Sequence, residues 1–123
     1  MMPLRKLKKY IKADILEAVN STMNVYPDEA GNTSTFPYII YRFPSETDDT
    51  LYKERWILEI DFWDQNTSNN ILDASDLVKN ALNGLYQTES EGFFRCYKIF
   101  EGTIPDDTPN IKRIQQRYEI HLY

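Results

Sequence analysis

Tyr52-Lys53-Glu54-Arg55-Trp56-Ile57-Leu58-Glu59-Ile60-Asp61-Phe62-Trp63-Asp64 is the stretch whose reading decides the fold. Trp56, Leu58, Ile60 and Phe62 fall on one side of a two-residue period, and Ile57, Glu59, Asp61 and Trp63 fall on the other. Successive side chains of a strand point to opposite faces, so this is a half-buried strand with one apolar face and one that carries charge. Upstream, Phe36-Pro37-Tyr38-Ile39-Ile40-Tyr41-Arg42-Phe43 is short and rich in aromatic and β-branched residues. It predicts a strand with Pro37 at its start and its stop at Pro44. The polar run Ser45 to Thr50 between the two reads as a loop.

Two helices flank this pair. Leu4, Leu7, Ile11, Ile15 and Val19 recur at steps of three and four, with Leu16 widening the stripe and Pro3 tolerated in a first turn that needs no N–H. Asn20-Ser21-Thr22 weakens that helix, and Val25-Tyr26-Pro27 with the loop Asp28 to Thr35 ends it. Further on, Ile71, Ala74, Val78, Ala81 and Leu85 repeat the helical spacing after the capping run Gln65 to Asn70, and Gly84 suits the stop. Phe93 to Glu101 predicts a third strand, Gly102 to Asn110 a turn-rich loop, and Ile111 to Tyr123 a fourth strand. In the last, Ile114, Tyr118, Ile120 and Leu122 share one face against Arg113, Arg117, Glu119 and His121.

The expected order is therefore α-β-β-α-β-β, an α+β domain over residues 1–123. A four-stranded, mainly antiparallel sheet with two helices packed on one face would bury every apolar stripe. The opposite face would set Glu59 and Asp61 beside Arg113 and Arg117, a favourable cross-strand arrangement.

At 123 residues the chain fits one domain. Its net charge of -5 argues against a general nucleic-acid binder, which needs a surplus of cations facing phosphates. The charge is uneven, because Arg5, Lys6, Lys8, Lys9 and Lys12 precede the first acid and leave the remainder more acidic than the total. Cys96 is the only cysteine, so no intramolecular disulfide and no multi-thiolate zinc site can form, and a reducing compartment is expected. No apolar run reaches the ~20 residues of a membrane span, and Asp14 and Glu17 stand where a secretory signal needs its apolar stretch.

Catalytic parts are missing. Cys96 and His121 are single members of their types on predicted strands, and an activated thiol needs a cationic neighbour or a helix N-terminus. Glu59, Asp61, Asp64, Asp106 and Asp107 supply carboxylates for metal-dependent phosphodiester cleavage, yet no lysine has an acid two residues before it. The four glycines stand apart and form no phosphate loop, and no calcium-loop pattern occurs. No catalytic residue, metal or cofactor is expected.

Set in order, the N-terminal amphipathic helix, Val25-Tyr26-Pro27, a polar spacer, Phe36-Pro37-Tyr38-Ile39-Ile40-Tyr41, the strand end Leu58-Glu59-Ile60-Asp61-Phe62-Trp63-Asp64, a helix and the closing Arg117-Tyr118-Glu119-Ile120-His121-Leu122-Tyr123 are informative together. This series resembles the tail-completion proteins of long-tailed bacteriophages and prophages, also called tail terminators or head-to-tail joining proteins. The likeness covers nearly the whole chain. It implies a non-enzymatic structural part of the virion, a ring, usually six-fold, that caps the finished tail tube and presents a surface to the head connector. The implied partners are further copies of the chain in the assembled virion, the free chain being either oligomeric or monomeric, the tail tube protein and the head connector, with no membrane and no specific nucleic acid. The implied locations are the host cytoplasm during assembly and then the head-tail junction.

A closed ring of heterologous contacts needs two different patches on each subunit. Tyr52, Trp63, Arg113 and Arg117 are the interface candidates. Two other classes stay open. A small metal-dependent nucleic-acid-processing enzyme would lose activity on changing Asp61 or Asp64. A monomeric adaptor would bind one host protein through a sheet edge or face.

Overall fold

Leu7, Ile11 and Ile15 are fully buried along one side of α1 (Leu4–Ala18), as the spacing predicts. The same logic holds for α2 (Asn69–Leu82), whose Ile71, Ala74, Val78 and Leu82 face inward. The computed structural model describes residues 3–28, 35–50, 53–89, 92–105, 108 and 110–123, with the backbone only over 45–50 and 53. Its strands are β1 (Asn24–Pro27), β2 (Tyr38–Thr50), β3 (Lys53–Gln65), β4 (Leu85–Glu89), β5 (Gly92–Thr103) and β6 (Ile111–Leu122).

The sheet has six strands in the order β1-β2-β3-β6-β5-β4 and curls into a half-barrel, which corrects the four-stranded expectation. Both added strands are short edges. Val25-Tyr26-Pro27, read as the end of a helix, pairs in parallel with Ile39 to Tyr41 of β2. Leu85, read as the last position of the second helical stripe, instead pairs with Cys96 in the antiparallel β4–β5 ladder. Gly84, at φ 82°, takes the left-handed turn that ends the helix, and its N–H is donated to the Cys96 carbonyl.

Pro44 does not stop β2, which runs on to Thr50 through the stretch read as a loop. Between Arg42, opposite Glu59, and Ser45, opposite Ile57, the register shifts by one residue. A bulge leaves ladder positions unpaired, so a residue without an N–H is tolerated there. β5 carries a matching shift between Lys98 and Phe100.

The chain thus runs α-β-β-β twice, and the sheet order mirrors about the central antiparallel β3–β6 seam. The mirror breaks at the edges, where β1 pairs parallel and β4 antiparallel. Both helices lie on one face, packing over Ile39, Leu58, Ile60, Phe62, Phe94, Ile114 and Tyr118 in a single core. No described helix is long and apolar enough to cross a membrane.

Candidate functional site

The face turned away from the helices is built by the odd residues of β3 and β6 and the even ones of β2 before its bulge. The β3–β6 register sets Glu59 opposite Arg117, Asp61 opposite Gln115 and Trp63 opposite Arg113; the sequence reading puts these residues on one face, and the pairing comes from the register. β2 adds Arg42 opposite Glu59.

Asp61 is the centre. Its Oδ2 accepts from Arg42 Nη2 at 2.7 Å, and its Oδ1 accepts from Arg113 Nε and from Gln115 Nε2, each at 3.0 Å. Arg42 also donates to Glu59 Oε1 at 3.0 Å, and Arg117 stands 3.5 Å from Glu59 Oε2. Asp61 is thereby fully buried, although no described helix or strand covers this face. Burial alone would lower the Arg42 guanidinium, but its hydrogen bond and charge contact with Asp61, helped by Glu59, outweigh that and raise it above its ordinary value. A carboxylate clasped by two guanidiniums has its lone pairs committed to charge-assisted hydrogen bonds.

The network is flanked by rings on both sides. Trp63 stacks on Tyr38 with centroids 6.4 Å apart, Tyr38 stacks on Phe36 at 5.2 Å, and the Arg113 guanidinium lies 4.8 Å from the Trp63 ring. Trp63 Nε1 is buried without a hydrogen-bond partner. Toward the β4 edge, Phe93 stacks on Tyr123 and meets Tyr86 at a tilt, Arg95 lies over Tyr86 at 5.4 Å, and Arg117 lies over Phe100 at 5.6 Å. Gly102 leaves room for that phenyl ring, since a Cβ there would stand 3.0 Å from Phe100 Cζ.

Three of the four interface candidates therefore share one face. Arg113, with a side chain only 20% exposed, holds Asp61 and lies over Trp63, whereas Arg117 is 48% exposed. Tyr52 lies outside the described residues. Sequence reasoning missed Arg42, whose role appears only in the β2–β3 register. The carboxylates of β3 sit on a central strand of the sheet.

The carboxylates considered for metal chemistry do not converge. Glu59 and Asp61 lie on the open face, whereas Asp64 turns to the helix side, where its Oδ1 accepts the Gln65 N–H at 2.8 Å and its Oδ2 meets Asn70 Nδ2 at 3.5 Å. Among the described residues no group of three or more His, Cys, Asp or Glu side chains is placed to hold a metal ion. Asp106 and Asp107 lie outside those residues. Cys96 and His121 are on opposite faces, Cys96 in the core with its thiol pushed up by burial, and His121 with Nε2 2.6 Å from Glu119 Oε1.

On the helix side, Asp14 Oδ2 is buried without a hydrogen-bond partner. Burial first, then Glu17 and Glu89, push its carboxyl up to about 6.

An α+β domain with two helices laid over a curled, mirrored six-stranded sheet is the class this geometry defines. The same fold is found in a chain of the virion of a native gene transfer agent particle, with TM-score 0.65 and 14% identity, over 90% of this chain and 92% of that one. It is also found in the bacteriophage SPP1 gp17 protein, with TM-score 0.51 and 19% identity, over 89% of this chain and 88% of that one. At these identities the likeness is one of fold. No protein-family model and no curated protein matches the chain.

Proposed function

We propose that the chain is a structural protein of a phage-like particle that completes the tail, capping its tube and joining it to the head connector as a ring of identical copies. The observation that carries this reading is the fold shared, over nine-tenths of both lengths, with a chain of a gene transfer agent virion. The likeness to bacteriophage SPP1 gp17 points the same way, as does the tail-completion resemblance of the VYP, FPYIIY and IDFWD segments. The chemistry of the open face agrees with a structural role. Asp61, the best buried of the acids on that face, is spent on holding Arg42 and Arg113 and not on binding a metal.

The test is deletion of the reading frame from its source element, followed by electron microscopy of the lysate and complementation in trans. Filled heads and separate tails with irregular upper ends are expected, with joined particles restored by complementation. Joined particles in normal numbers after deletion would overturn the reading.

A further inference from the structure

Among the described residues, large exposed apolar side chains occur on both sides of the molecule. Leu77 lies on the flank of α2 that borders the groove with α1, and Leu72 lies on its opposite flank, beside Lys112 and Arg113. Tyr86, Tyr97, Ile99 and Phe100 lie on β4 and β5, where Tyr86, Tyr97 and Phe100 face away from the helices. Apolar patches rimmed by polar groups mark association surfaces, and these two differ in the sign of their rims.

The helix patch is acidic. Asp73 is exposed, has no ion-pair partner among the described residues, and shares with Leu77, Val19 and Met23 a groove of about 350 Å³ between the two helices. Asp76 beside it has only Lys79 of its own helix, at 3.5 Å. The sheet patch carries two arginines, and Glu119, opposite Tyr97 between them, is held by Arg55 and His121. Arg95 lies over Tyr86 with no carboxylate partner among the described residues, and Arg117 over Phe100 keeps one long contact of 3.5 Å to Glu59. Exposed aromatics interleaved with arginine have the composition of binding hot spots.

We propose that the flank of α2 bordering the groove, through Asp73 and Leu77, docks on the Arg95–Phe100–Arg117 face of a second copy of this chain. Charge complementarity selects the second copy as the occupant: Leu77 with Asp73 and Asp76 matches the arginine-rimmed rings, and each copy carries one of each. Because the two patches lie on opposite layers, the contact is heterologous and copies add head to tail, closing into a ring where the rotation allows. The inference rests on the virion reading for its purpose, and it supplies the two distinct patches that a ring requires.

Sedimentation of the purified full chain tests it with two variants, one with Asp73→Lys and Leu77→Lys on the helix patch and one with Arg95→Glu and Phe100→Gln on the sheet patch. The unmodified chain is expected to rise in mass with concentration. Each variant alone is expected to stay monomeric, with association weakened at least about tenfold. Mixed together they should form a one-to-one dimer and nothing larger, since the pair holds one intact helix patch and one intact sheet patch. Circular dichroism checks that each variant is folded, and Arg95→Glu alone replaces the sheet variant should Phe100→Gln unfold it.

A chain that is monomeric to millimolar concentration, a mixture without dimer, or variants that associate as the unmodified chain does would each overturn the proposal. The virion role is read on particles from the deletion strain, so a failed interface leaves that result standing and a failed virion role leaves this one.

Discussion

Asp61 and Phe62 are neighbours in β3, both fully buried, and they are buried by opposite physics. Phe62 enters a core of aliphatic side chains supplied by both helices and the sheet, and its burial is a matter of area and close packing. Asp61 faces a side that no described element covers, and the long side chains of Arg42, Arg113 and Gln115 close over it. Full burial on an uncovered face is thus achieved by charge pairing. Added salt acts on the ionic side by screening its exposed guanidiniums and has no such charge to screen on the apolar side.

The largest break in this comparison is Phe62→Ala, which should lower the unfolding free energy by about 4 kcal/mol. The loss should be nearly the same in low and high salt, read by denaturant titration. Next comes Asp61→Ala, at about 3 kcal/mol, because two guanidiniums lose their shared acceptor. Adding Arg113→Met should recover part of that loss in a double-mutant cycle; strictly additive losses would show that the pair is not what holds the site.

Asp14→Asn should act in the other direction, stabilising the protein by about 1 kcal/mol near pH 7.5 after allowance for solvent screening. The sign follows from the raised folded value of about 6 against 3.8 unfolded. The charged carboxylate is penalised only in the folded state, so the wild type loses stability as pH rises through this window, and the gain from the amide should vanish near pH 4. A gain that is constant with pH would assign it to something other than this charge. The smallest effect belongs to the exposed cations of α1. Lys9→Gln and Lys12→Gln should each move stability by less than about 0.5 kcal/mol, since neither has a partner among the described residues.

The helices and the inner strands were legible because their periods are long and unmixed. The alternation from Trp56 to Trp63 and from Arg113 to Leu122 gives both faces of the central seam correctly, with Glu59 and Asp61 on the same face as Arg113 and Arg117. The edge strands were not legible. Asn24–Pro27 has only four residues and ends in proline, and Leu85 continues the helical spacing of Ile71, Ala74, Val78 and Ala81 although Gly84 has already turned the chain. Pro44 reads as a stop because no local signal announces a bulge. The candidate face was half legible: a two-residue period places Glu59, Asp61, Arg113 and Arg117 together, but the closing Arg42 comes from a strand whose register depends on a partner. Nothing in Trp63 or Arg113 alone says that each is half-buried by the other's company.

The mirrored strand order sets how fast the chain can find its shape. Within each α-β-β-β half, ladder partners are near neighbours along the chain, whereas the seam ties Gln65 to Ile111 and Glu54 to Leu122. Joining such distant segments closes a large loop before any reward arrives, and topologies dominated by such pairing fold on the millisecond-to-second scale. A lesion at the seam, such as Leu58→Ala or Tyr118→Phe, should then slow refolding where the seam forms early. One at the β1 or β4 edge should mainly hasten unfolding.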